Sequence, residues 1–179
     1  MSKKLLQQVC KNLYGKPSWN VRRGYGSSIT FEFGKPKLEV LKKVFEPSKK
    51  SGRKYPHRYA HVHGEWHLWI FCCDWIVQQE GRKVGDSTSE KKIDQGCSVL
   101  GGQYLTKVVV NQKNWQTDFH FDLGGRLKTK PYKNEDEPLE MWSLRCPDGR
   151  WFELRADGKF SHQSGKTPSD KKVWKPFTT

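Results

Sequence analysis

Two separated stretches of the chain alternate apolar and polar residues and then break at a glycine. SSITFEFGKPKLEV covers residues 27–40 and TDFHFDLGGRLKTK covers residues 117–130, so Gly34 and Gly124 occupy the same place in each stretch. Alternation with a period of two is typical of a strand with one buried face, and the glycine favours a tight turn into a second strand. Both stretches therefore predict antiparallel hairpins.

A helical pattern precedes each hairpin. SKKLLQQVCKNLYG begins at Ser2 and SEKKIDQGCSVLGG begins at Ser89, an offset of 87 (89 minus 2). In both copies a serine suited to an N-cap is followed by apolar residues at spacings of three and four. Gly15 and Gly102 close the two patterns, where glycine can adopt the positive φ that commonly ends a helix. The patterns predict two short helices.

The repeated order of helix and hairpin indicates an internal duplication. We predict an α+β fold in which two helix-plus-antiparallel-meander units, residues 1–88 and 89–165, pack as one β-rich domain with pseudo-twofold symmetry. The elements of one unit are too short to cover a core alone, so the two units are expected to pack together. Residues 166–179 are rich in Lys, Pro, Ser and Thr, which predicts a loose, basic C-terminal tail.

Residues 58–80, RYAHVHGEWHLWIFCCDWIVQQE, form the stretch that is richest in Trp, Phe and His. If these residues form one strand, alternate side chains share a face. From Trp66 to Val77 both faces are then largely apolar, which predicts a central strand covered on both sides. Before that point one face carries a polar row, which consists of His61, His63, Glu65 and His67.

This polar row is a candidate zinc site. His-x-His on a strand places two imidazoles side by side, and Glu65 or His67 would supply a further ligand or the general base of a metal-dependent hydrolase. Same-face neighbours on a straight strand lie about 6.5 to 7 Å apart, so no single ion could contact all four residues. We favour the alternative, a polar strand end whose imidazoles are hydrogen-bonded or solvated. Nucleophile elbows, phosphate loops and HExxH helices are absent from the sequence.

Charge raises the question of an acidic partner. The chain has 33 Lys and Arg against 19 Asp and Glu, for a formal net charge of +14. Between residues 42 and 58 the only acidic residue is Glu46, and the basic residues there are Lys42, Lys43, Lys49, Lys50, Arg53, Lys54 and Arg58. This cluster predicts a basic surface that engages an acidic protein partner. With Tyr55 and Tyr59 beside it, the cluster would also suit a nucleic-acid-binding accessory protein, and a solvated loop that keeps the protein soluble is a third interpretation.

Cysteines and apolar runs bear on the cellular compartment. The five cysteines follow neither zinc-finger nor disulfide-scaffold spacing, so we predict reduced and mostly buried thiols, with Cys72 and Cys73 on opposite faces. The N-terminal residues lack the unbroken apolar stretch of a signal peptide, and the sequence has no apolar run of eighteen residues. The expectation is a cytoplasmic protein.

The segments FEFG and FDLGG, followed by the ending EMWSLRCPDGRWFELRADG, resemble parts of small, uncharacterised bacterial β-rich proteins and of some polymorphic-toxin immunity proteins. Those proteins often carry a Trp-containing strand followed by Asp-Gly hairpins. The resemblance implies an intracellular bacterial protein with a binding role and transfers no catalytic residue. Immunity proteins of basic nucleases are frequently acidic, so the positive charge argues against that pairing. We therefore expect a non-enzymatic binding protein without a cofactor, immunity-like or an adaptor.

Overall fold

The computed structural model describes residues 2–45, 55–132 and 137–178. These ranges contain the helices α1 (Ser2–Lys11) and α2 (Glu90–Leu100) and a 3₁₀ turn at Ser169–Lys171. The strands, in chain order, are β1 (Ser18–Arg23), β2 (Ile29–Phe33), β3 (Lys37–Phe45), β4 (Tyr55–His63), β5 (Trp66–Ile70), β6 (Cys73–Gln79), β7 (Arg82–Asp86), β8 (Leu105–Val110), β9 (Thr117–Phe121), β10 (Gly125–Pro131), β11 (Glu140–Arg145), β12 (Arg150–Arg155), β13 (Lys159–Ser164) and β14 (Lys175–Pro176).

The strands form two larger sheets and a separate two-stranded ribbon. The seven-stranded sheet has the order β1-β2-β5-β11-β12-β13-β14, and the five-stranded sheet has the order β7-β6-β10-β9-β8. Strands β3 and β4 pair with each other to form the ribbon. The named strand pairs are antiparallel, which confirms the predicted α+β class. Both larger sheets combine strands from the first and second halves of the chain.

The core lies where side chains of the two larger sheets meet. Phe31 of β2 stacks on Phe121 of β9 with ring centroids 6.2 Å apart. Trp142 of β11 meets Phe119 of β9 edge-on at 5.5 Å. These rings belong to one continuous cluster of buried apolar residues, which also includes Leu6 of α1. One core of this kind explains how elements as short as five residues can be stable.

Both predicted helices are present, but α1 ends at Lys11, ahead of Gly15, and α2 ends at Leu100, ahead of Gly102. The Ser89 side chain accepts a hydrogen bond from the backbone N–H of Lys92, so Ser89 is the N-cap of α2. Gly15 and Gly102 have φ values of +78° and +86°, the left-handed conformation that glycine adopts at little cost. Helix α2 also approaches β7 so closely that a Cβ on Gly85 would lie 2.6 Å from the Cα of Gly96.

The prediction of one long strand over residues 58–80 is wrong. The chain breaks at Gly64 and again at Cys72, which has a φ of +47°, so three strands β4, β5 and β6 lie in three different sheets. Gly64 packs so closely that a Cβ there would lie 2.5 Å from the Phe33 carbonyl oxygen. The buried positions of β5 are even-numbered and those of β6 are odd-numbered. Each strand therefore buries one face, and the two apolar faces come from two strands.

The prediction of a loose C-terminal tail is also wrong for the described residues up to 178. Strand β14 pairs with β13, and Phe177 is buried against the Phe160 ring. The Ser2 hydroxyl donates to the Thr178 carbonyl at 2.9 Å. The end of the chain is thus fastened to the start of α1, because these contacts provide burial that composition alone does not reveal.

The predicted state of the cysteines is confirmed. All five are reduced, Cys72 is exposed, and Cys73 and the other three are buried. Burial raises the pKa of Cys10 to about 12 and that of Cys97 to about 11. Buried thiols with such pKa values remain protonated at neutral pH and are poor nucleophiles.

Candidate functional site

The β3–β4 ribbon leaves one of its faces open to solvent. Leu38 is directly opposite Val62, Val40 is opposite Ala60, and Lys42 is opposite Arg58. All six side chains are exposed, and they define what we call the open ribbon face. The exposed fractions of Leu38, Val40 and Val62 are 67%, 60% and 44%. A two-stranded ribbon that exposes several large apolar side chains on one face is typical of an interaction surface.

The basic cluster predicted from the sequence belongs to this ribbon and to the segment that joins its strands. Lys42 and Arg58 are exposed on the open ribbon face, and Lys43 lies on β3. Lys49, Lys50, Arg53 and Lys54 lie outside the described residues. Lys42 and Arg58 are cross-strand neighbours, and like charges in that arrangement repel each other. A negatively charged partner would relieve this repulsion.

The four residues of the polar row are divided between the ribbon and the neighbouring sheet. His61 and His63 share a face of β4, with ring centroids 5.8 Å apart. Glu65 lies in the turn that follows, where its carboxylate is 3.7 Å from the Lys16 ammonium. His67 lies on β5 in the seven-stranded sheet. Because the chain turns at Gly64, the row is not a single ligand face.

His67 forms a hydrogen-bonded pair with Glu32, a residue that sequence analysis did not select. Its Nδ1 lies 2.8 Å from a carboxylate oxygen of Glu32, which is only 3% exposed and also accepts the Gly64 N–H at 2.8 Å. Burial alone would raise the pKa of Glu32. The hydrogen bonds from His67 and Gly64, together with the charges of His67 and Arg145, outweigh burial and lower that pKa. Glu32 is therefore ionised at neutral pH.

Arg145 of β11 connects this pair to the base of the ribbon. Its Nη2 lies 2.9 Å from Nδ1 of His63 and 3.0 Å from the Gly64 carbonyl oxygen. Nδ1 of His63 also lies 2.8 Å from the Gly64 carbonyl oxygen, and its Nε2 is 3.8 Å from the Glu39 carboxylate. The network fastens the end of β4 to the seven-stranded sheet and thereby fixes where the ribbon projects.

The geometry of these residues bears on metal and nucleophilic chemistry. In residues 2–45, 55–132 and 137–178, no group of three or more His, Cys, Asp and Glu side chains is arranged to hold a metal ion. Nδ1 of His63 faces the arginine, and Nδ1 of His67 faces Glu32. The zinc site and the hydrolase thus remain hypotheses without a described ligand set.

A second polar cluster lies on the same sheet, beneath the C-terminal segment. Lys172 donates to Glu140 at 3.0 Å and to Glu153 at 2.6 Å. Burial raises the pKa of Glu153, and the charge of Glu140 adds to this effect in spite of the hydrogen bond from Lys172. The cleft beside this cluster has a volume of about 300 Å³ and is flanked by Trp69 and Trp151. The cluster holds residues 169–174 against the sheet.

Local sequence patterns could not identify either cluster. Glu32 and His67 are 35 residues apart, and Arg145 is 82 residues from His63. The alternation in FEF does place Glu32 between two buried rings, where an acid without a partner would be unfavourable, and this was the one available signal.

Comparison with protein-family models, with curated proteins and with solved structures found no significant match. Helices in the described ranges are all too short or too polar to cross a membrane.

Proposed function

We propose that this chain is a non-enzymatic binding protein, immunity-like or an adaptor, that engages an acidic protein partner through the β3–β4 ribbon. The observation that carries the proposal is the open ribbon face, where exposed Leu38, Val40 and Val62 lead to the opposed cations Lys42 and Arg58. Apolar contact would supply most of the affinity, while the cations would select an acidic partner and accelerate its association.

Nucleic acid is the alternative partner, and the basic residues of the ribbon are the observation that favours it. A two-stranded ribbon can enter the major groove of duplex DNA, and lysine and arginine would contact phosphates. We favour a protein because three large apolar side chains share the face with the two cations. Phosphate contacts would leave those apolar side chains unburied, whereas a protein interface would bury them.

Charge reversal on the ribbon tests the proposal. In the variant Lys42→Glu/Arg58→Glu, retention of the acidic partner captured from the native host is expected to fall at least about tenfold, the loss expected when close interfacial charge pairs become repulsive. The measurement is quantitative pull-down with the purified variant as bait, followed by direct titration of the captured protein. A Leu38→Thr/Val40→Thr/Val62→Thr variant should weaken binding of the same partner, since it removes the apolar contact while threonine, which is β-branched, suits a strand at all three positions.

A matched control distinguishes the effect of charge reversal on the ribbon from the effect of a lower net charge. Lys91→Glu/Lys113→Glu changes net charge by the same amount at exposed positions away from the ribbon, and it should retain the partner. Retention on a duplex DNA column that is lost only in the ribbon variant would favour the nucleic-acid alternative. Equal capture by wild type and both ribbon variants would contradict a binding role for the ribbon.

The internal duplication with pseudo-twofold symmetry is part of the same proposal. At the offset of 87, Gly15 corresponds to Gly102 and Ser18 corresponds to Leu105. The Gly15 N–H donates to the Leu105 carbonyl at 3.0 Å, and the Gly102 N–H donates to the Ser18 carbonyl at 2.8 Å. These bonds are reciprocal, as contacts across a twofold axis are. The β-bridge between Pro17 and Tyr104 likewise joins two corresponding residues, which supports a duplicated ancestor.

Glycine substitutions at the two reciprocal hydrogen bonds, which we call the two crossings, test whether Gly15 and Gly102 are equivalent. Gly15→Ala and Gly102→Ala should each lower the free energy of unfolding by about 1 to 2 kcal/mol, because both glycines have positive φ and neither added Cβ meets an atom within 4 Å. Chemical denaturation measures the change. Gly101→Ala, at a φ of −63°, is the control and should be nearly neutral. Clearly unequal losses at positions 15 and 102 would contradict the equivalence of the two crossings.

A further inference from the structure

A groove separates α1 from the edge strand β8, and its rim is basic. The groove has a volume of about 740 Å³, and its floor includes Tyr14, Val108 and Phe177. Four lysines line it, namely Lys3, Lys4, Lys11 and Lys107, and no lining residue is acidic. Within the described part of the chain, none of these four lysines forms an ion pair with a carboxylate.

The corresponding interface in the other half of the chain shows what this groove lacks. There α2 packs on β1, and Arg23 forms ion pairs with Glu90 at 2.5 Å and with Asp94 at 3.9 Å. At the offset of 87, Glu90 corresponds to Lys3, Asp94 corresponds to Gln7, and Arg23 corresponds to Val110. The helix has thus lost both acids and gained a cation, while the strand has gained an apolar side chain. Among the described residues, no carboxylate takes the place of these acids in the groove.

Strand β8 offers backbone hydrogen-bonding groups beside these lysines. It is the last strand of the five-stranded sheet, so one of its edges is unpaired with any described strand. The Val108 N–H points to that edge and donates to the Tyr14 hydroxyl at 3.1 Å. Because alternate residues of an antiparallel strand point the same way, the N–H and carbonyl of Val110 face the open edge as well. An extended peptide can pair with groups of this kind.

We propose that the α1–β8 groove binds an extended acidic peptide segment of a partner protein. The segment adds a strand to β8 next to Val110, places its carboxylates against Lys3 and Lys107, and lays its alternate apolar side chains on the groove floor. Main-chain hydrogen bonds supply affinity, and the lysine rim supplies selectivity for acidic segments. This inference rests on the proposed binding function and assigns a second contact surface to it.

A defined probe tests the groove directly on the full chain. The probe is a fluorescein-labelled synthetic peptide of about ten residues that alternates Glu and Val, a length that matches a strand with overhang. Fluorescence anisotropy at low ionic strength should show saturable binding that weakens with added salt. The same peptide with Lys in place of Glu should bind at least tenfold more weakly.

Variants and a modified probe then locate the binding. The variant Lys3→Glu/Lys107→Glu should bind the Glu-Val peptide at least tenfold more weakly than wild type. The control Lys91→Glu/Lys113→Glu should bind it less than threefold more weakly. These are exposed lysines, so circular dichroism should show that both variants remain folded. A probe N-methylated on the amides of one strand edge cannot add to β8 and should also bind at least tenfold more weakly.

Three results would overturn the proposal. The first is equal peptide binding by Lys3→Glu/Lys107→Glu and wild type, and the second is equal binding of the N-methylated and unmodified probes by wild type. The third is a single-stranded oligonucleotide that binds wild type more tightly than the peptide does and that no longer binds the groove variant. The ribbon variant Lys42→Glu/Arg58→Glu keeps the two proposals distinguishable. If it loses the captured partner while the groove variant keeps both partner and peptide, the proposed function stands and the groove assignment fails.

Discussion

Replacing Trp142 with alanine is expected to lower the free energy of unfolding by about 4 to 5 kcal/mol, the largest effect of any single change considered. Trp142 is only 1% exposed and lies on β11 of the seven-stranded sheet. Its ring stacks on Phe152 at 5.6 Å, and its Nε1–H donates to the Thr117 hydroxyl at 2.9 Å. Thr117 belongs to β9 of the five-stranded sheet, so one side chain joins the two sheets.

Urea denaturation of three variants measures this loss of stability and separates the contribution of the ring from that of the Nε1–H donor. Trp142→Phe keeps an aromatic ring but removes the Nε1 donor, so it should fall between wild type and Trp142→Ala. Trp69→Ala is the matched control, because Trp69 is 38% exposed on the neighbouring β5 and should lose only about 1 kcal/mol. Similar losses for Trp69→Ala and Trp142→Ala would contradict the placement of Trp142 in the shared core.

Replacing Glu32 with alanine is expected to lower the free energy of unfolding by about 3 kcal/mol. The change removes a buried carboxylate and leaves the Gly64 N–H and the His67 ring without their acceptor. Glu32→Gln should lose less, about 1 to 2 kcal/mol, because its amide oxygen can still accept one of the two hydrogen bonds. Thermal and chemical denaturation measure both losses.

The pH dependence of the Glu32 contribution has a defined sign. The pKa of Glu32 in the folded protein lies below its ordinary value of 4.5, so folding favours the ionised carboxylate. This contribution is fully present above the unfolded pKa and is lost as the pH falls through the lower folded pKa. The stability difference between wild type and Glu32→Gln should therefore shrink on acidification below about pH 4.5. A difference that stays constant or grows as the pH falls through this range would contradict the assignment.

Elements whose caps and turns are set by residues close in sequence were predictable from the sequence. Helix α2 begins at a Ser89 cap and ends before Gly102, and both signals lie within a few residues of the helix. The hairpin of β9 and β10 that turns at Gly124 follows from alternation and a residue that allows positive φ. Such features depend on local backbone preferences, which the sequence states directly. The hairpin predicted at Gly34 is wrong, because β2 pairs with β1 and β5, whereas β3 pairs with β4 in the ribbon.

The division of residues 58–80 could not be predicted in the same way. Alternation continues through Gly64 and Cys72, and no proline or turn dipeptide marks either break. The first break depends on the approach of the Phe33 backbone to Gly64, a residue 31 positions earlier. The second depends on the pairing of β6 with β10 in the five-stranded sheet. Both are decided by partners that are distant in sequence.

The amino-acid sequence alone determined the two helices, the hairpin at Gly124, the reduced cysteines and the basic character of the segment around Lys42 and Arg58. Tertiary structure decided which strands share a sheet, that residues 175–178 are fastened to β13 and to the start of α1, and that Glu32, His67 and Arg145 meet. It also decided that the ribbon stays open on one face and that the lysines of α1 lie beside the edge of β8. The physical reason is that local propensity acts over a few residues, whereas burial and charge pairing depend on contacts between segments that only the folded chain brings together.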